Sequence, residues 1–81
     1  MLNVVDACNI IANKCRYIES IAELPNKYII TPLDDDGDEM DCPPYAIDKE
    51  TGALSIYFPQ KHFVEYLKAK SIPVPDKYRF D

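Results

Sequence analysis

Apolar residues recur through the first part of the chain at helical spacing. Val4, Cys8, Ile11, Cys15, Ile18 and Ala22 follow one another at intervals of four, three, four, three and four. Ala7, Ile10, Tyr17 and Ile21 widen the same stripe, so the pattern predicts one long amphipathic helix. Asn3 is placed to accept a bond from a first-turn amide, Asp6 suits the positive end of the helix dipole, and Pro25 sets the far limit. Ser20-Ile21-Ala22-Glu23 also reads as a capping box, which allows a break near Ser20 and a short turn before Pro25.

The period then changes. Tyr28-Ile29-Ile30-Thr31 is a β-favouring run between Pro25-Asn26 and Pro32 and predicts a strand. Tyr45 to Asp48 and Ala53 to Phe58 alternate around Lys49-Glu50-Thr51-Gly52, where the glycine supplies the positive φ of a tight β-hairpin. Leu54, Ile56 and Phe58 share a face with Tyr45 and Ile47, and Ser55 and Tyr57 look the other way. After Pro59, Phe63, Val64, Tyr66 and Leu67 predict a second helix that stops near Ser71, with Lys68 and Lys70 at its negative end. Ile72-Pro73-Val74-Pro75 is extended, because each proline keeps its predecessor out of the helical region. Lys77 to Phe80 adds a strand or a docking tail.

Eighty-one residues leave room for one domain spanning 1–81 and one core, and 47% hydrophobic residues suffice to collapse it. The expected fold is α+β: an N-terminal and a C-terminal helix on one face of a small, mainly antiparallel three-stranded sheet. A domain of this size buries only about 60 to 65% of its unfolded surface, which favours surface contacts over an enclosed catalytic cavity.

Charge changes the picture more than composition does. The net charge of −5 arises from 14 acids and nine bases, and six of those acids, Asp34, Asp35, Asp36, Asp38, Glu39 and Asp41, lie within eight residues. Outside that run, eight acids face nine bases, so the body is nearly neutral and the loop from Pro32 to Pro44 is acidic. A phosphate-backbone binder needs clustered Lys and Arg, so direct nucleic-acid binding is not expected. A concentrated negative patch suits a basic protein partner or a cation. No run approaches the roughly 20 apolar residues of a membrane span, and no basic region precedes the first apolar residues. Three cysteines without regular spacing fit reduced thiols, with Cys8 and Cys15 buried, and the expected setting is cytoplasmic, away from membranes.

Metal and catalytic readings fail on spacing. With Gly37 at the sixth position of a calcium loop, the first and twelfth ligand positions fall on Pro32 and Pro43. Cys8, Cys15, Cys42 and His62 have no zinc-site spacing, and a Cys42–His62 nucleophile pair lacks an orienting third residue and a glycine-rich oxyanion loop. No catalytic residue, metal or cofactor is expected. The aromatics of the second half have no interleaved basic stripe for single-stranded nucleic acid. Tyr57, projecting from the far face of the hairpin, is the expected exposed anchor.

The stretch Tyr45-Ala46-Ile47-Asp48-Lys49-Glu50-Thr51-Gly52-Ala53-Leu54-Ser55-Ile56-Tyr57-Phe58-Pro59 resembles the hairpins of small acidic immunity proteins from bacterial toxin systems. That resemblance implies a cytosolic inhibitor that binds a toxin, such as a nuclease, with acidic groups against a basic cleft; it transfers no individual residue. The expected function is thus a non-enzymatic protein-binding module, an immunity-like inhibitor. Its expected contacts are Asp34, Asp35, Asp36, Asp38, Glu39, Met40, Asp41 and Tyr57. The second reading is a nucleic-acid mimic or phage-type antagonist of a DNA-binding enzyme, which would need carboxylates spread at phosphate-like intervals.

Overall fold

The computed structural model describes residues 1–80. The chain begins with helix α1 (Val4–Ile11) and continues through strands β1 (Tyr17–Glu23), β2 (Lys27–Leu33), β3 (Tyr45–Asp48) and β4 (Leu54–Ile56). A 3-10 turn at Pro59–Lys61, the short helix α2 (Phe63–Leu67), strand β5 (Lys70–Ile72) and a 3-10 turn at Asp76–Tyr78 complete it. All strand pairs are antiparallel, in the spatial order β4-β3-β2-β1-β5.

The expected α+β class holds, and the architecture within it is corrected. The sheet has five strands where three were expected, and the helices lie against opposite faces instead of one. Only α1 is a helix of any length, because α2 has five residues.

Helix α1 ends at Ile11, well short of the expected long helix. Asn3 and Asp6 form the expected N-cap reciprocally, Asp6 N donating to Asn3 Oδ1 at 2.9 Å and Asn3 N to Asp6 Oδ2 at 3.3 Å. Beyond Ile11 the chain turns, and the residues that extend the helical stripe belong to a turn and a bulged strand. Ile18 pairs with Pro32 but Ser20 pairs with Thr31, so β1 carries one extra residue. That residue brings Ile18 and Ile21 to one face although they stand three apart, a spacing that a regular strand would split. Helix period and bulged-strand period coincide here, which is why the apolar pattern alone predicts the wrong element. The bulge lies opposite Pro32, which has no N–H for the ladder.

Ala7, Cys8 and Ile11 of α1 cover the face formed by Ile18, Ile21, Tyr28, Ile30 and Ile47, and Tyr78 closes that layer. Tyr78 donates its hydroxyl to Asn9 Oδ1 at 2.6 Å, anchoring the C-terminal segment to the helix. On the other face Leu24, Ile29, Ala46 and Tyr57 pack with Ala22, Tyr66 and Ala69, so α2 touches the sheet chiefly through Tyr66. The hairpin faces are as expected, with Leu54, Tyr45 and Ile47 toward α1 and Tyr57 opposite. Ile56 and Phe58 are exposed because β4 is the sheet edge. The expected strand of Tyr28 to Thr31 lengthens into β2, and the C-terminal residues form a 3-10 turn and a docked tail instead of a strand.

Two partly buried polar features tie the layers together. Lys49, in the β3–β4 turn, reaches Glu23 with an Nζ to Oε2 distance of 2.6 Å and lies 4.8 Å above the Tyr28 ring. Its backbone donates to Asn26 O and accepts from Leu2 N, so one residue joins two hairpin turns and the N-terminus. Across the sheet, Tyr57 donates its hydroxyl to Glu65 Oε1 at 3.0 Å, pinning α2 to the end of β4. Burial first, then the hydrogen bond and the negative charge of Glu65, push the Tyr57 phenol up to about 12.

An alkaline signature follows from Tyr57. An unfolded phenol ionises near pH 10, so the stability Tyr57 contributes is complete below that pH and is lost as pH rises through about 12. Absorbance titration of the native protein should show Tyr57 among the last tyrosines to ionise, and Glu65→Gln should bring it down. Native tyrosines that all titrate together near 10, unaffected by Glu65→Gln, would refute the buried hydrogen bond.

Candidate functional site at the acidic hairpin tip

The acidic run is an ordered hairpin tip and not a loose connector. β2 ends at Leu33, and the chain folds back so that Glu39 bridges Leu33 in antiparallel fashion. Between them Asp34 N donates to Asp38 O at 2.9 Å and Gly37 N to Asp34 O at 3.0 Å. Asp34 Oδ1 also accepts from Asp36 N and Asp38 N, both at 2.9 Å, which satisfies two amides that the reversal would leave unpaired. Gly37 has φ +81°, a left-handed conformation that an L side chain rarely adopts. The β3–β4 turn uses the same device. Asp48 Oδ1 accepts from Glu50 N at 2.8 Å and Thr51 N at 3.0 Å, and Gly52 has φ +76°. The backbone bonds from Thr51 and then Glu50 hold the Asp48 carboxyl below its usual range.

The six acids therefore divide. Asp34 is half-buried and holds the turn, and Asp35, Asp36, Asp38, Glu39 and Asp41 are exposed. Met40 is half-buried and packs on the α1-side core instead of standing free beside the acids. Among the described residues the ion pairs are Lys49–Glu23 and Arg79–Asp76, so none involves a carboxylate of the tip. Lys14 and Arg16 line a shallow groove of about 340 Å³ with Asp34, Asp35 and Asp36, but the Arg16 guanidinium sits over the Tyr17 ring, 5.5 Å from its centroid. Like charges this close lie within about one Debye length at physiological salt, so they project a single negative field.

The C-terminal tail completes the tip. Phe80 packs directly on Gly37, where a methyl group would overlap its ring, and meets Tyr17 edge-on at 5.0 Å and 79°. An aromatic surface, 45% exposed in Phe80, thus borders the carboxylates. Sequence reading placed Phe80 in a tail without linking it to the acids, because a contact across more than 40 residues leaves no local pattern.

Tyr57 does not join this site. Its side chain does leave the hairpin on the expected face, but the 3-10 turn and α2 fold over it, leaving 4% exposed. His62 stacks on it at 5.1 Å and Tyr66 lies 5.9 Å away. The expectation of an exposed anchor is therefore corrected: the residues that cover Tyr57 follow it in the chain.

The thiols occupy the other layer. Cys8 and Cys15 are buried and Cys42 is half-buried, all three unpaired. Burial pushes the Cys8 and Cys15 thiols up, with a smaller contribution from Cys15 on Cys8 and from Cys42 on Cys15. Cys15 lies beyond the end of α1, so these two cysteines do not share one helix. Cys42 neighbours Tyr45, whose own phenol is pushed up by burial and then by Cys42, whereas His62 stacks on Tyr57 across the sheet. Among the described residues no three His, Cys, Asp or Glu side chains are grouped to hold a metal ion, and no helix is long and apolar enough to cross a membrane.

Comparison with protein families, curated proteins and solved structures found no match.

The division of labour among the acids is measurable. Asp34→Asn keeps an Oδ1 acceptor and should retain the turn, whereas Asp34→Ala should cost about 1–2 kcal/mol and remove hydrogen-exchange protection at Asp36 and Asp38. Gly37→Ala should cost about 1–3 kcal/mol through its positive φ and dislodge Phe80. Equal stability and protection in Asp34→Ala and wild type would show that the carboxylate does not organise the tip.

Proposed function

We propose that the chain is a non-enzymatic, immunity-like inhibitory protein that binds a basic surface on another protein through its acidic tip. One observation carries this reading. Five exposed carboxylates stand on a turn already closed by Asp34 and Gly37, without an ion-pair partner among the described residues. A preformed tip loses less conformational entropy on binding than a flexible loop, and unneutralised carboxylates steer a basic partner toward it. The likeness of the β3–β4 hairpin to immunity proteins agrees with a toxin or nuclease as that partner. Three unpaired thiols suit action in a reducing, cytoplasmic setting.

Asp35, Asp36, Asp38, Glu39 and Asp41 changed together to Asn or Gln test this, with Asp34 retained to preserve the turn. Wild-type protein serves as bait, and proteins it captures but the variant does not are purified for stopped-flow binding. The expected result is an association rate about 10- to 100-fold higher for wild type at low salt, with the difference collapsing as salt rises. The same on-rate and salt dependence for both proteins would refute the mechanism.

A further inference from the structure

The outward face of α2 is unexpectedly apolar. The sequence pattern assigns Phe63, Val64 and Leu67 to a core stripe, but of α2 only Tyr66 packs on the sheet cluster, and those three are 56%, 70% and 70% exposed. Phe58, five residues before Phe63 and across the 3-10 turn, adds a ring that is 37% exposed. Together they present on the order of 400 Å² of apolar surface, the size of patch that on a small monomer often marks an interface.

The charge around this face is positive. Lys61 lies over the Phe58 ring at 5.1 Å, Lys68 follows Leu67 directly, and Lys70 lines an open groove with Lys68, where Lys49 and Glu23 neutralise each other. The carboxylate of α2 itself, Glu65, accepts from Tyr57. An occupant must therefore offer apolar surface edged with carboxylates, and the chain carries such a surface at its own other site, where Phe80 packs on Gly37 between Asp36 and Asp38.

We infer that the lysine-edged face of α2 is a docking surface for the acidic tip of a second copy of this chain. Charge complementarity selects this head-to-tail arrangement over α2 against α2, which in an antiparallel contact would set Lys61 of one copy beside Lys68 of the other. The apolar area is about half of the roughly 800 Å² per partner in a standard interface, so the association is weak and concentration-dependent. The contact is heterologous: each copy engaged at one surface keeps the other free, and growth continues unless a ring closes. The inference rests on the reading of the tip as a binding surface, and it makes self-association and capture of a basic partner compete for the same carboxylates.

The test uses two variants of the full chain. The α2 variant carries Leu67→Glu and Lys68→Glu; the tip variant carries Asp35, Asp36 and Asp38 changed to Asn. Both alter exposed residues, and far-UV circular dichroism with thermal melting checks that each folds. In sedimentation velocity at 0.05 to 1 mM, wild type should grow beyond the monomer mass with concentration and return to monomer in 0.5 M salt. Each variant alone should stay monomeric, and an equimolar mixture should form a dimer and nothing larger, since one intact tip and one intact α2 face remain. A milder α2 variant, Leu67→Ser, should weaken wild-type association at least threefold. Wild type that stays monomeric, or a mixture that does, overturns the inference. So does a dimer that survives tip neutralisation, which would point to α2 against α2, or a monomer that binds vesicles of phosphatidylcholine with 30% phosphatidylserine through α2. Stopped-flow binding of the tip to its basic partner is read separately, so failure here leaves that measurement standing.

Discussion

Strand β1 must bury Ile18 and Ile21 in the same layer although they stand three residues apart, and the extra residue between Ile18 and Ser20 makes this possible. Without it one isoleucine would turn to the opposite face, a loss on the order of 2 kcal/mol of apolar burial, and α1 would have no continuous surface to cover. The same alternation sends Ala22 to the far face, where it joins the cluster beneath Tyr66. Pro32 is the natural partner for the irregularity because it cannot supply the ladder bond that the bulge interrupts. Both layers of the molecule depend on this one register shift between the paired strands.

Electrostatics is distributed by the same economy of means. Asp34 and Asp48 each spend a carboxylate on turn amides, and Gly37 and Gly52 accept the positive φ that closes each reversal. Lys49 is the one buried cation among the described residues, held by Glu23 and the Tyr28 ring so that its charge is compensated inside the fold. The remaining acids at the tip have no such duty and face water, which gives the molecule a negative end. The tail seats Phe80 against that end, so the negative field acquires an apolar edge.

Helix α2 shows how a small domain leaves apolar surface uncovered. Five residues are too few to form a stable helix alone, and tertiary contacts hold it through Tyr66 and the Tyr57–Glu65 hydrogen bond. Those contacts fix its rotation. With Tyr66 turned toward the sheet and Glu65 accepting from Tyr57, Phe63, Val64 and Leu67 face outward, and no further segment of the described chain covers them. The negative tip and the lysine-edged apolar face are thus produced by the same compact packing.

Local chemistry determined much of this protein directly from its sequence. Asn3 and Asp6 cap α1, Gly52 closes the hairpin, the alternation from Tyr45 to Tyr57 assigns its faces, and the burial of Cys8 follows from its place in the apolar stripe of α1. The concentration of acids in one segment is likewise a property of the sequence, since charge needs no fold to be counted. Tertiary structure decided what depends on partners distant along the chain. Residues Cys15 to Ile21 satisfy a helical period, yet pairing with β2 along its length and with β5 at Ile21–Glu23 draws Tyr17–Glu23 into the sheet, where the backbone bonds of a helix are replaced and Ile18 and Ile21 are buried under α1. Pairing of Leu33 with Glu39 and the seat of Phe80 on Gly37 convert an acidic stretch into an ordered tip. Coverage by α2 removes Tyr57 from the surface and leaves Leu67 upon it, outcomes fixed by the rotation of one short helix and invisible to any periodicity within it.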